Sequence, residues 1–140
     1  THNPFDSSSS SSSSSWEQIS TPGDPKEQYI LACYYYFGLD NIPKSPEHAF
    51  YWFKKSLENG NQDNEYYSLA QMYLGCCYEY GIGISQDEQL AFQFISKSSL
   101  SSSGNKNATG LCLEGLCYLF GFGVDHVDEQ KAFQCIFQAA

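Results

Sequence analysis

The chain has 140 residues, 41% of them hydrophobic and 16% aromatic, and a formal net charge of −9 from 16 acidic and 7 basic side chains. Every basic side chain is Lys; without the Arg fork that suits phosphates and base edges, and with a field that repels a phosphate backbone, nucleic acid is not expected as a partner. Eleven Tyr and ten Phe must be buried or engaged, which points to one folded domain diluted by polar tracts, and no run reaches the roughly 18–20 apolar residues of a membrane span.

Thr1-His2-Asn3-Pro4-Phe5-Asp6 has no basic region followed by an apolar core, so it does not read as a secretory signal. The chain does not begin with Met and is expected to be a piece of a longer protein. Residues 7–15 are all Ser; such a tract cannot offset its ordering entropy, and residues 1–23 are expected to be a disordered segment, a solvated linker rather than a phosphorylation target. Asp24-Pro25-Lys26-Glu27 then supplies an N-cap, a Pro at the first helical position and a Glu placed for a capping box. Ser45-Pro46 repeats that logic, and Asp87 and Asp128 can cap later helices, with Glu88 and Glu129 favourable beside the positive helix end. Gly38, Gly81 and Gly121 stand where helices must stop. Ser98-Ser99-Leu100-Ser101-Ser102-Ser103-Gly104-Asn105-Lys106-Asn107 reads as a flexible loop.

These signals belong to one recurring frame. A small residue is followed three places later by Tyr and three after that by Gly: Ala32/Tyr35/Gly38, Gly75/Tyr78/Gly81 and Gly115/Tyr118/Gly121. An Ala-Phe pair follows at Ala49-Phe50, Ala91-Phe92 and Ala132-Phe133, with Ala-to-Ala spacings of 42 and 41 residues. That period predicts an all-α superhelix of about three helix–turn–helix repeats, over about 24–60, 64–100 and 107–140. Ala70, Leu74, Cys77, Tyr78 and Gly81 share one helical face, as do Ala91, Phe94, Ile95 and Ser98. Gly inside a helix costs about 1 kcal/mol, so Gly75 and Gly115 imply close backbone approach. A larger residue at Gly75 or Ala91 should overpack by roughly 1–3 kcal/mol.

This frame resembles the Sel-1-like repeat family, relatives of tetratricopeptide repeats. The second copy matches its motif at Leu74, Gly75, Tyr78, Gly81, Gly83, Ile84, Asp87 and Ala91, with Phe94 at a Trp place and Lys97 following. The first keeps Trp52 and Lys55 but has Asp40 near the second Gly, an extra loop residue, and Ser45 near the Asp place. The third keeps Gly121, Gly123, Val124, Asp128, Ala132, Ala139 and Ala140, again with one extra residue before Asp128. The resemblance covers about residues 25–140. It implies a right-handed superhelix whose first helices line a concave face that binds proteins or peptides. It also implies a non-catalytic adaptor; the alternative is a regulatory module of a larger enzyme system, such as a chitin synthase activator or a ubiquitin-ligase adaptor in ER-associated degradation.

Some secreted relatives carry one disulfide per repeat between the two helices. Here Cys33, Cys76, Cys77, Cys112 and Cys117 fall on first helices and Cys135 alone on a second, which does not supply one bridge per repeat. No Cys-x-x-Cys pair is present and no His stands at zinc-finger spacing. The cysteines are therefore expected to be free, buried thiols of a reducing compartment, the cytoplasm being favoured, and all six should titrate under denaturation without reductant. Asp125-His126-Val127-Asp128-Glu129 falls in an inter-helix turn, where Asp serves as a cap, so no metal or acid–base site is expected there. His48 falls in the first turn of a helix and His2 in the N-terminal segment. Gly81-Ile82-Gly83 lacks the Lys and Ser/Thr of a phosphate loop. No catalytic, metal or cofactor residue is expected. Ala140 ends a repeat with no polar cap after it, so the native protein is expected to continue, or this chain to self-associate.

Overall fold

A computed structural model describes residues 23–100 and 107–139. The Ser tract, Trp16 to Pro22, His2, Ser101–Lys106 and Ala140 lie outside the described residues. Six helices follow in order: α1 (Pro25–Phe37), α2 (Pro46–Asn59), α3 (Glu65–Tyr80), α4 (Glu88–Ser99), α5 (Ala108–Phe120) and α6 (Glu129–Ala139). No strand occurs among the described residues. Each odd-numbered helix packs on the next, giving three pairs, and α2 packs on α3 and α4 on α5 to join the pairs in a stack.

The caps act as their residue types dictate. Asp24 Oδ1 accepts from the Lys26 backbone N–H at 3.3 Å, Asp87 Oδ1 from Leu90 at 3.1 Å and Asp128 Oδ1 from Lys131 at 3.1 Å. Gly38, Gly81 and Gly121 close α1, α3 and α5 in the left-handed region at φ 69, 69 and 71°, and each donates its N–H to the carbonyl four residues back. A second backbone bond explains why Tyr and the next cap recur together. The N–H groups of Ser45, Asp87 and Asp128 donate to the carbonyls of Tyr35, Tyr78 and Tyr118 at 3.0, 2.9 and 2.9 Å. The same bond closes all three turns, so the extra residue in the first and third copies is absorbed without changing the helix pair.

Within each pair the approach is close because the facing residues are small. A Cβ on Gly75 would stand 2.6 Å from Ile95 Cγ1 and 3.1 Å from the Ala91 carbonyl oxygen. One on Gly115 would stand 2.9 Å from Ile136 Cγ1 and 3.0 Å from the Ala132 carbonyl oxygen. Ala32, Ala49, Ala70, Leu74, Cys77, Ala91 and Ile95 are buried, and Trp52 and Phe53 are the largest side chains in the core. Tyr78 and Phe94 are half-buried and stack on each other with centroids 5.7 Å apart.

One expectation is corrected. Ser98 and Ser99 do not belong to a flexible loop: they form the buried last turn of α4, and Asn107 is the N-cap of α5, accepting from the Gly110 N–H at 3.1 Å. Their hydroxyls are satisfied there, Ser98 donating to the Ile95 carbonyl at 2.6 Å and Ser99 to the Ser96 carbonyl at 2.8 Å. The Ser99 proton is shared between that carbonyl and Glu114 Oε1 at 2.7 Å, and Ser96 donates to Glu114 Oε2 at 2.9 Å, which ties α4 to α5. A Ser whose hydroxyl bonds back to its own helix behaves as a small core residue, and that is why composition misplaces it.

Candidate functional site

Several groups that carry chemistry in other proteins have structural partners here. Asp125 and His126 are exposed in the turn before α6, beside a shallow cavity of about 300 Å³ that Tyr118 and Lys131 also line. The Asp128 carboxylate caps α6, and Lys131 Nζ sits 5.3 Å above the Tyr118 ring. His48 Nδ1 lies 2.6 Å from the Ser45 hydroxyl, its ring stacked on Tyr35 at 4.7 Å. Among the described residues, no group of three His, Cys, Asp or Glu is arranged to hold a metal ion, and no helix is long and apolar enough to cross a membrane.

Five cysteines lie on α1, α3 and α5 and Cys135 on α6, and all six are free thiols. Burial, with the Glu79 charge second, pushes the Cys76 thiol up to about 11. Burial, then the neighbouring Cys76, pushes Cys77 up to about 12, and burial followed by the Glu79 and Glu114 charges does the same to Cys117. Raised in this way, the three thiols are protonated at neutral pH, the state of a small packing group.

A different feature emerges when the three pairs are aligned on their cap glycines. The residue just before the glycine is aromatic in each copy and exposed in each: Phe37 by 47%, Tyr80 by 66% and Phe120 by 73%. Two further positions share that helical face, four and seven residues earlier: Cys33 and Ile30, Cys76 and Tyr73, Leu116 and Leu113. All are apolar and all are half-buried or exposed. Each first helix thus carries an apolar stripe that its own pair does not cover, at the spacing by which a helix presents one side. The stripes of neighbouring repeats touch, Phe37 meeting Tyr73 edge-on with centroids 5.8 Å apart. The recurring Tyr and Gly mask this pattern in the sequence; its local signal is the aromatic before each cap glycine.

Charge distinguishes α3 and α5 from the other helices as well, α1 carrying Lys26. Neither α3 nor α5 contains a basic residue, whereas Lys54, Lys55, Lys97 and Lys131 lie on α2, α4 and α6. The charged side chains of α3 and α5 are Glu65, Glu79 and Glu114 alone.

Three stacked helix pairs with glycine-capped first helices define an α/α repeat solenoid. The Sel1 repeat family model matches residues 28–61, 68–103 and 109–140, and the chain belongs to that family. It is similar to a solved Sel1 repeat protein from Oxalobacter formigenes, with 27% identity and a TM-score of 0.65 over 83% of this chain and 41% of that one. It also matches a protective antigen of uropathogenic Escherichia coli with an SLR fold, at 23% identity and a TM-score of 0.44 over 82% of this chain and 30% of that one. The chain therefore spans less than half the length of either structure. Sel1 repeat proteins are in general protein-interaction scaffolds, and the family is typically non-catalytic.

Proposed function

We propose that this chain is a non-catalytic scaffold that binds other proteins through the apolar stripes of α1, α3 and α5. The observation that supports this reading is the exposure of Phe37, Tyr80 and Phe120 at one repeat position. A stacking requirement would bury that position, and chance would not place three large aromatic rings in solvent at equivalent points. Contiguous exposed apolar surface of this kind marks interaction sites, and aromatic side chains are the usual anchors of such interfaces.

Affinity purification followed by mass spectrometry tests it, comparing the natural chain with a Phe37→Ser/Tyr80→Ser/Phe120→Ser variant. The expected outcome is a reproducible set of proteins that the natural chain retains and the variant loses. Equal capture by both, or turnover of a small molecule by the chain, overturns the assignment.

A further inference from the structure

The two junctions between first helices are built from equivalent positions but filled differently. At the first, Tyr36 and Phe37 of α1 meet Tyr73 of α3 edge-on, at centroid distances of 5.2 and 5.8 Å. Tyr73 also stacks on Phe53 at 5.0 Å, with the rings 10° from parallel. Aromatic rings close that junction. At the second, the residue equivalent to Tyr36 is Glu79 and the residue equivalent to Tyr73 is Leu113. Exchanging two rings for a carboxylate and a smaller aliphatic chain leaves space, and a groove of about 270 Å³ lies there, lined by Glu79, Tyr80, Leu113, Leu116, Cys117 and Phe120 among others.

That volume lies just under the roughly 300–1,000 Å³ of pockets that take whole small-molecule ligands. It suits the insertion of a single large side chain. The walls are apolar, so the inserted group must be apolar too. Glu79 is the one charged residue of the lining. It occupies the last turn of α3, where a carboxylate opposes the negative end of the helix dipole, and it is partly desolvated. A local choice that disfavours stability at an open site is the pattern expected of a functional residue. No Lys lies on α3 or α5, and none lines the groove, so a cation on whatever enters would complement this carboxylate.

We propose that the groove between α3 and α5 receives a bulky apolar side chain of a partner polypeptide, followed closely by a Lys or Arg that pairs with Glu79. This rests on the scaffold reading above and narrows it to one anchor point and one partner chemistry. The pair would form in a half-buried place, where loss or reversal of one charge is costly.

The test is selection of a random linear peptide library against the full chain, followed by titration of the enriched peptides. The enriched sequences should share a Leu, Phe, Trp or Met with Lys or Arg close by. Leu113→Tyr copies the first junction and fills the groove, and should weaken binding by about tenfold or more, the loss typical of an anchor site. Glu79→Lys should do the same and, used as bait, should enrich Asp and Glu instead. Helical circular dichroism and a cooperative melt for both variants separate lost binding from lost fold, and Glu79→Gln serves as a charge-neutral variant if Glu79→Lys fails that check. Acidic or charge-indifferent peptides overturn the inference, as does undiminished binding to Leu113→Tyr. Peptides that bind Leu113→Tyr but not the Phe37→Ser/Tyr80→Ser/Phe120→Ser variant overturn this groove and leave the scaffold standing. Captured partner proteins with no enriched peptide overturn the linear segment as occupant.

Discussion

Gly83 leaves no room for a side chain beside the backbone carbonyl of Pro46, and Gly123 stands in the same relation to Glu88. Both contacts run from the turn of one repeat to the first turn of the second helix in the repeat before. A Cβ on Gly83 would fall onto the Pro46 carbonyl oxygen and within 3.0 Å of Phe50 Cβ, while Gly83 itself holds φ at 74°. Two requirements therefore select glycine, a left-handed backbone and a neighbouring main chain. In the first copy Asp40 occupies the equivalent place at φ 54°. No helix pair precedes it among the described residues, so only the backbone requirement acts there, and Asp and Asn tolerate that region better than other side chains. Gly83→Ala is expected to destabilise by about 2–4 kcal/mol, roughly 1–2 from the left-handed conformation and the rest from overpacking. Chemical denaturation measures it. Asp40→Gly should be neutral or stabilising, and a loss there equal to that of Gly83→Ala would refute the account.

Phe50 and Phe92, the residues after the recurring Ala, meet Tyr78 and Tyr118 of the following repeat edge-on, with centroids 5.6 and 5.4 Å apart. Phe133 stands at the equivalent position of α6 and is 65% exposed, touching Phe137 at 5.4 Å. One repeat position thus has two energetic meanings. Phe92→Ala should cost about 1–3 kcal/mol, less than the 3–5 of a fully buried Phe because the ring is half-buried. Phe133→Ala should change stability by no more than about 0.5 kcal/mol. Paired melts of the two variants decide it, and equal losses would contradict the stacking described.

The repeat frame was legible because its residues answer local demands. A cap glycine, an N-cap Asp and a small residue at a helix crossing are each dictated within one turn or one helix pair, and Gly81, Asp87 and Gly75 could be placed from sequence alone. Ser98 and Ser99 were misread because composition ignores what a hydroxyl bonds to; their partners are Ile95, Ser96 and the distant Glu114. The apolar stripe escaped for another reason. Ile30, Cys33 and Phe37 look like core residues until the stacking of neighbouring pairs fixes which side of α1 stays uncovered; the aromatic before each cap glycine marks the position but not its exposure.

Glu114 takes the place that buried Leu31 and Leu74 hold in the other two copies. The change from Leu to Glu is matched across the junction by Ser96 and Ser99, whose hydroxyls both donate to its carboxylate. Hydrogen bonds to a charged acceptor contribute about 1.5–3 kcal/mol, discounted here because the site is half-buried. Glu114→Ala is expected to cost roughly 1–2 kcal/mol on that basis. The Glu114→Ala/Ser99→Ala pair should lose less than the sum of its single variants, as groups in one network do. Strict additivity in a double-mutant cycle would show that the carboxylate and Ser99 act independently.

Glu79 makes the stability of the chain depend on pH in a direction fixed by its surroundings. Burial raises its carboxyl above the ordinary value of 4.5, and the hydrogen bond with Tyr80 opposes that shift without cancelling it. The thiols of Cys76 and Cys117 face it and stay protonated at neutral pH, and burial outweighs the Tyr80 hydrogen bond in setting the cost of ionising it. A carboxyl whose folded value exceeds its unfolded value releases its proton more readily when unfolded. The stability it contributes is complete below the unfolded value and is lost as pH rises through the folded one. Glu79→Gln cannot ionise, so its advantage over the natural chain should be negligible near pH 4 and should grow between there and pH 7. Thermal melts of both proteins across that range read the effect as a widening gap in Tm. A gap that is constant with pH, or that narrows towards neutrality, would mean that the Glu79 carboxylate is already paired within the chain and is not waiting for a partner's cation.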